Sequence, residues 1–457
     1  MNGFLYILTG PSGCGKTTLL NSICSNSVDD VDPTTRAIKA PKYSERPRRD
    51  EYDDIIHDPA IEIGEYDIAY FINGRKYGIK IQEIKKLLDQ GLNAFIILSD
   101  FRVIRRLKDT LKDRIRSIYI SSAINREKLE KIQAERYNFS PDLKQAKLLA
   151  RQFARLNSAA RIEAWHQVFE VVGEFNQDWK NYIPEAQSTE IRTQRIRSFH
   201  TRYIDNLHLF DHVILNHTEN KSEEMTEQAR NLILHSSTYF HNKKHKVYPP
   251  IFVVAAASGA GKGTLMEMLN LIGRDKISIV SKQAKRPPKP GDKRDGMEAI
   301  GIDGIFSPQF DLRWSFHKSE EFGGTEYAVR SSEIKRNINR GNPQLFVSNI
   351  EQFDMFQALF DNQVVFLYLH RLSSAEDIKD YQLANCSTPE EAAARIKEIG
   401  KVHQDYIEHI AEFDHVLLNT TYPEDLYDQM LQLIDHYHNT HLLREFREWK
   451  ASYPLDD

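Results

Sequence analysis

Gly10-Pro11-Ser12-Gly13-Cys14-Gly15-Lys16-Thr17-Thr18 is the segment whose residue types and spacing are most committed to chemistry. Its G-x-x-x-x-G-K-T spacing is a complete Walker A sequence. It lies between a strand-like run, Phe4–Leu8, and a helix-period segment, which is the context the motif needs. Glycines let the backbone curl until successive N–H groups and a helix N-terminus point at phosphate oxygens. Lys16 is then expected to reach the β- and γ-phosphates of a triphosphate, and Thr17 to offer its hydroxyl to Mg²⁺. A related segment runs Ala256-Ala257-Ser258-Gly259-Ala260-Gly261-Lys262-Gly263-Thr264. It keeps Ser258, Gly259, Gly261, Lys262 and Thr264, but Ala256 replaces the first glycine and Gly263 follows the lysine. Two readings stay open for it: a second phosphate cradle, or a decayed loop that keeps the fold and binds weakly.

A basic motif follows each loop. In the first half it is Ser44-Glu45-Arg46-Pro47-Arg48-Arg49, and in the second Lys285-Arg286-Pro287-Pro288-Lys289-Pro290-Gly291-Asp292. Arg-Pro-x-Arg/Lys sets two cations on one short segment, Arg46 with Arg49 and Arg286 with Lys289, suited to clamping a monophosphate dianion. Tyr77-Gly78-Ile79 and Tyr327-Ala328-Val329 come next, and then Ile97-Leu98-Ser99-Asp100 and Leu345-Phe346-Val347-Ser348. A net charge of −4 opposes a general polyanion-binding surface, so phosphate recognition is expected to be local and no nucleic-acid partner is expected. His200 and His403 read as helix-surface or packing residues, and Cys14 as a small residue filling its loop.

The elements that must position these groups occur twice. Phe210-Asp211-His212-Val213-Ile214-Leu215-Asn216 recurs 203 positions later as Phe413-Asp414-His415-Val416-Leu417-Leu418-Asn419. The same offset pairs Tyr203 with Tyr406, His200 with His403 and Arg192 with Arg395. The two loop lysines lie 246 apart (16 to 262), so the first copy carries roughly 40 extra residues, placed in the charge-rich helical stretch of about 126–194. Domains are therefore expected at 1–235 and 249–457, joined by a polar linker at 236–248 that ends in Pro249-Pro250. Strand-like runs at Ala94–Leu98, Ser117–Ile120 and His212–Leu215 alternate with helical periods. Ile251–Ala255, Leu345–Ser348, Val364–Leu369 and His415–Leu418 do the same. The expected fold class is α/β, with a mainly parallel sheet flanked by helices in each half. The apolar runs are too short to span a bilayer, and no secretion signal is read at the N-terminus. Three cysteines (Cys14, Cys24, Cys386) without metal-ligand spacing fit a reducing, cytoplasmic setting.

This order of parts resembles the guanylate kinase family of P-loop nucleoside monophosphate kinases, in two tandem copies. The resemblance implies an ATP- and Mg²⁺-dependent transfer of a phosphoryl group to a GMP-like acceptor. By that pattern Arg46, Arg49, Arg286 and Lys289, helped by Tyr77 and Tyr327, hold the acceptor phosphate. Arg136, Arg192, Arg195 and, in the second half, Arg395 look like lid arginines that neutralise the transferring group. Family members read guanine with a Ser or Thr two residues after the tyrosine and with an upstream Glu. Here those places hold Ile79 and Val329, with Asp67 and Asp311 as the nearest acids and Asp100 at a strand end. Tyr-Gly-Ile is closer to the related ribose bisphosphate phosphokinases, so a sugar phosphate acceptor stays open. So does an interaction module with weakened catalysis.

Overall fold

A computed structural model describes residues 3–11, 13–26, 36–48, 53–72, 75–122, 198–216, 221–243, 246–272, 277–287, 297–301, 303–316, 325–373, 375–386, 388–420 and 423–438. The chain divides into two compact units, Met1–Ala123 with Thr201–Asp457, and Ile124–His200. Both P-loop halves belong to the first unit. The expected insertion at 126–194 lies outside the described residues.

The first half runs β1 (Leu5–Thr9), α1 (Lys16–Asn26), β2 (Ala37–Lys39), β3 (Tyr43–Ser44), β4 (Ile56–His57), β5 (Ile68–Ile72), β6 (Arg75–Ile79), α2 (Ile81–Asp89), β7 (Asn93–Ile97), α3 (Phe101–Leu111), β8 (Ile115–Ser122), β9 (His212–Asn216) and α4 (Lys221–Lys243). The second repeats this plan as β10 (Ile251–Ala256), α5 (Lys262–Ile272), β11 (Ser278–Ile279), β12 (Lys282–Ala284), β13 (Met297–Ala299), β14 (Leu312–Phe316), β15 (Thr325–Val329), α6 (Ser331–Asn339), β16 (Gln344–Ser348), α7 (Phe353–Phe360), β17 (Val364–Arg371), α8 (Ala375–Asn385), α9 (Pro389–Glu408), β18 (His415–Asn419) and α10 (Pro423–His438). Helix α4 continues to Lys243, past the point where a polar linker was expected to begin.

Each half has a parallel core sheet, ordered β2-β7-β1-β8-β9 and β11-β16-β10-β17-β18. Strand β1 reads Leu-Tyr-Ile-Leu-Thr with every residue buried, as parallel strands covered on both faces require. Helix α3 lays Val103, Ile104, Leu107 and Leu111 against the sheet, an apolar stripe of helical period. Beside each core lies a small mixed sheet, β4-β3-β6-β5 and β13-β12-β15-β14. These small sheets carry the basic motifs and the two tyrosines.

The halves meet through reciprocal contacts. Tyr203 Oη donates to the Val416 carbonyl at 2.7 Å, and Tyr406 Oη donates to the Val213 carbonyl at 2.6 Å. Each ring stacks on a tyrosine of its own core sheet, Tyr119 at 4.3 Å and Tyr368 at 4.2 Å. His403 Nε2 lies 2.6 Å from Glu224 Oε1 across the same junction, in keeping with a packing role. The repeated aspartates tie strands together: Asp211 accepts from Ser117 N at 2.7 Å, and Asp414 from Phe366 N at 2.8 Å. Their ion pairs are with Lys108 (2.9 Å) and Lys246 (3.2 Å).

Candidate nucleotide site

The first glycine loop joins the central strand β1 to α1. Gly13 and Gly15 have φ of 86° and 92°, a region that side-chain-bearing residues rarely enter. A Cβ on Gly15 would also come within 2.8 Å of Met225 Cε. Lys16 Nζ folds back over the loop and donates to the carbonyls of Gly10 (2.8 Å) and Pro11 (2.7 Å). Thr17 and Thr18 are exposed at the start of α1, where helix N–H groups lack intrahelical partners. Cys14 is fully buried. Burial pushes its thiol pKa up despite the opposing charge of Lys16, so the reactive thiolate is disfavoured. Ser12 lies outside the described residues.

The second loop has the same backbone plan. Gly259 and Gly261 have φ of 78° and 108°, and Lys262 Nζ donates to Ala256 O and Ala257 O at 2.8 Å each. A Cβ at Gly10 would meet Ile120 O at 2.5 Å and Cys14 Sγ at 2.8 Å. In the second half Ala256 brings that Cβ, and the smaller Ala260 stands where Cys14 stood, removing one obstacle. Thr264 is exposed, and Gly263 is partly buried.

Two asparagines brace these loops, a role that the sequence reading left unassigned. Asn216 Nδ2 donates to Cys14 O, and Asn419 Nδ2 to Ala260 O, each at 2.7 Å. The signal for them was present as the shared final residue of the 203-offset repeat.

On the acceptor side Arg46 is 8% exposed, and its Nη2 meets Asp53 Oδ1 at 2.7 Å. The hydrogen bonds it donates to Asp53 raise the guanidinium pKa above its ordinary value against the effect of burial, so the cation persists. Its Nε is buried without a protein partner among the described residues. Asp53 was not singled out from sequence, although it lies in the acidic run, 50–54, that follows the arginines. Tyr77 stacks on Tyr70 at 5.4 Å, and Tyr327 on Trp314 at 5.7 Å. Arg286 Nη1 donates to Pro287 O at 2.9 Å. Arg49 and Lys289 lie outside the described residues, as do Arg136, Arg192 and Arg195.

Each of the three acids accepts from a backbone amide at the start of a helix. Asp67 Oδ2 accepts from Ile81 N at 2.6 Å, and Asp311 Oδ1 from Ser331 N at 2.8 Å, so both satisfy the free amides at the start of a helix. Asp100 caps α3 through Arg102 N at 2.9 Å, and its side-chain bond to Arg102 holds its pKa below the usual carboxylate range. In the second half Asn349 and Ile350 follow the end of β16, so no acid stands there.

Arg395 makes a contact within its own helix. Its Nη2 binds Glu391 Oε1 at 2.8 Å, one turn back on α9. Arg371, at the end of β17, does reach the second loop, with Nη1 3.5 Å from Gly259 O and its guanidinium 4.4 Å from the centre of the Tyr381 ring. A Cβ on Gly259 would meet Gln382 Nε2 and Tyr381 Cε1 at 3.1 Å each. Helix α8 therefore covers this loop.

A lysine-bearing glycine loop on the central strand of a parallel sheet, with a small basic sheet beside it, defines a P-loop nucleotide-binding α/β fold, here in two copies. No family model matches the chain. A guanylate kinase from Dechloromonas aromatica (strain RCB) is 27% identical over 188 residues, covering 40% of this chain and 84% of that protein. One from Chlamydia trachomatis serovar D is 24% identical over 147 residues, 30% of this chain and 69% of that protein. The crystal structure of guanylate kinase from Anaplasma phagocytophilum aligns with 46% of this chain and 98% of its own, at 17% identity and a TM-score of 0.29. The chain is guanylate kinase-like. Among the described residues no helix is long and apolar enough to cross a membrane.

Proposed function

We propose that the first half is an ATP- and Mg²⁺-dependent kinase for a nucleoside monophosphate, GMP-like in class, with 1–235 and 249–457 as the two nucleotide-binding domains. The observation that carries this reading is the pairing of a complete glycine loop, with Lys16 poised at its mouth, and a buried, charged Arg46 whose Nε has no protein partner. The loop amides and Lys16 would hold the donor triphosphate, and the exposed Thr17 hydroxyl would bind Mg²⁺, which neutralises phosphate charge. An acceptor phosphate oxygen attacks the γ-phosphorus, the bond to the β,γ-bridging oxygen breaks, and ADP leaves with the electron pair. Such a transfer is served by positioning and charge neutralisation, so the reading requires no dedicated base.

A sugar phosphate acceptor is the second reading, and two observations favour it. Ile79 is fully buried, and the Asp67 carboxylate is engaged by Ile81 N. Ile79 offers a purine no hydrogen-bond partner, and Asp67 has one oxygen already committed to the fold, which weakens the case for strong base selection. For the second half we propose a weakened or regulatory copy, because Ala256 replaces the first loop glycine and no acid stands at the end of β16. ADP release measured over nucleoside monophosphates and ribose phosphates tests the acceptor class. The reading requires Mg²⁺-dependent release with one class, and absence of Mg²⁺-dependent ATP or GTP binding would overturn it.

A further inference from the structure

The first half contains a cavity of about 310 Å³ between β5 and α3, walled in part by Tyr70, Phe71, Asp100, Arg102 and Arg106. It adjoins the acceptor clamp, because Tyr70 stacks on Tyr77, which in turn interacts with the Arg46 guanidinium. Arg102 and Arg106 stand one turn apart on α3, so their side chains share one face. The Arg102 side chain is 86% exposed. Its Nε and Nη2 engage Asp100 at 3.2 and 2.8 Å, which leaves Nη1 uncommitted among the described residues. Arg106 spends only Nη2, on the Asp67 carbonyl at 2.7 Å. Two guanidiniums against one carboxylate leave a net positive charge at a cavity that has an aromatic wall.

The second half has no equivalent. By the matching positive-φ caps of the two helices, Lys112 on α3 and Asp361 on α7, its residues there are Glu351 and Met355, neither of them basic. The arginine pair thus belongs to the half with the complete loop, next to its phosphate clamp. A guanidinium binds phosphate or carboxylate in bidentate fashion and stays charged throughout the working pH range.

We propose that the first half takes an acceptor bearing a second anionic group, phosphate or carboxylate, besides the phosphate that is phosphorylated, and that Arg102 and Arg106 bind this second group. The inference rests on the kinase reading and narrows its substrate class. The test uses the full chain and two matched pairs of probes: GMP with guanosine 3′,5′-bisphosphate, and ribose 5-phosphate with ribose 1,5-bisphosphate. Calorimetric affinity and ADP release are measured for each. At least one bisphosphate is expected to bind about tenfold or more tightly than its partner, the scale of a charge-assisted hydrogen bond. Arg102→Gln and Arg106→Gln should each erode that advantage while leaving the monophosphate affinity unchanged. Equal binding within both pairs, equal weakening of both members by the variants, or no binding by any probe overturns the inference. Persistent bisphosphate preference without ADP release from any probe would instead sink the kinase reading and leave the arginine site standing.

Discussion

The two halves share strand order, loop geometry and bracing asparagines, yet differ around the loop. The first keeps Gly10, an acid at the end of β7 and an arginine pair on α3. The second has Ala256 and, at the end of β16, Asn349-Ile350 in place of the acid. Scaffold and chemistry have separated: what positions a lysine over a glycine loop is the same in both, while what faces the acceptor is not. The shared strands and bracing asparagines are hydrogen-bonded and largely buried, so substitution there costs stability.

The largest expected difference is catalytic. Lys16→Ala should lower the rate of ADP release by about 10²–10³, the scale of losing one transition-state donor, while Lys262→Ala should change it less than about twofold. Steady-state rates of both variants check this, and equal losses would erase the functional asymmetry. Next comes Asp211→Asn, which breaks a partly buried ion pair and should cost about 2–3 kcal/mol at pH 7 by urea unfolding. Burial opposes the charge of Asp211, but Lys108 and its other partners outweigh that and hold its pKa well below the usual range. The folded value is depressed, so the stabilisation is complete above the unfolded pKa of about 3.9 and is lost as pH falls below it. The gap between wild type and variant should narrow below about pH 4; a constant gap would refute the linkage.

Asn216→Ala removes the amide bond to Cys14 O and should cost about 1–2 kcal/mol, with Asn419→Ala similar. The first should also reduce kcat/KM and the second should not, which sharpens the contrast between a common brace and a single working loop. The smallest effect concerns the junction. Tyr203→Phe and Tyr406→Phe should each cost about 1 kcal/mol, and thermal unfolding should show the two losses to be alike. A marked difference would break the reciprocity seen between the halves.

Several features were legible before any coordinates. The Walker A spacing, the 203-residue repeat and the fully apolar strands follow local rules: glycine supplies positive φ, and continuous apolar runs mark strands covered on both faces. They were sufficient for an α/β fold in two copies with Lys16 and Lys262 on equivalent loops. Helix α4 ran past the expected linker because a polar composition marks exposure and leaves open whether the backbone is helical. Asp67 read as an acid available to a base because its carboxylate's partner, the amide of Ile81, is brought to it only by the fold.

Partnership was therefore decided by tertiary structure. It tied Arg46 to Asp53, turned Arg395 toward Glu391, set Arg371 beside the second loop and opened the cavity under Arg102 and Arg106. A charged side chain goes to whichever opposite charge or free amide the folded backbone brings within about 3 Å, and sequence spacing alone does not specify that distance. Residue identity made phosphate chemistry legible; only packing determined which cations remain available to a ligand.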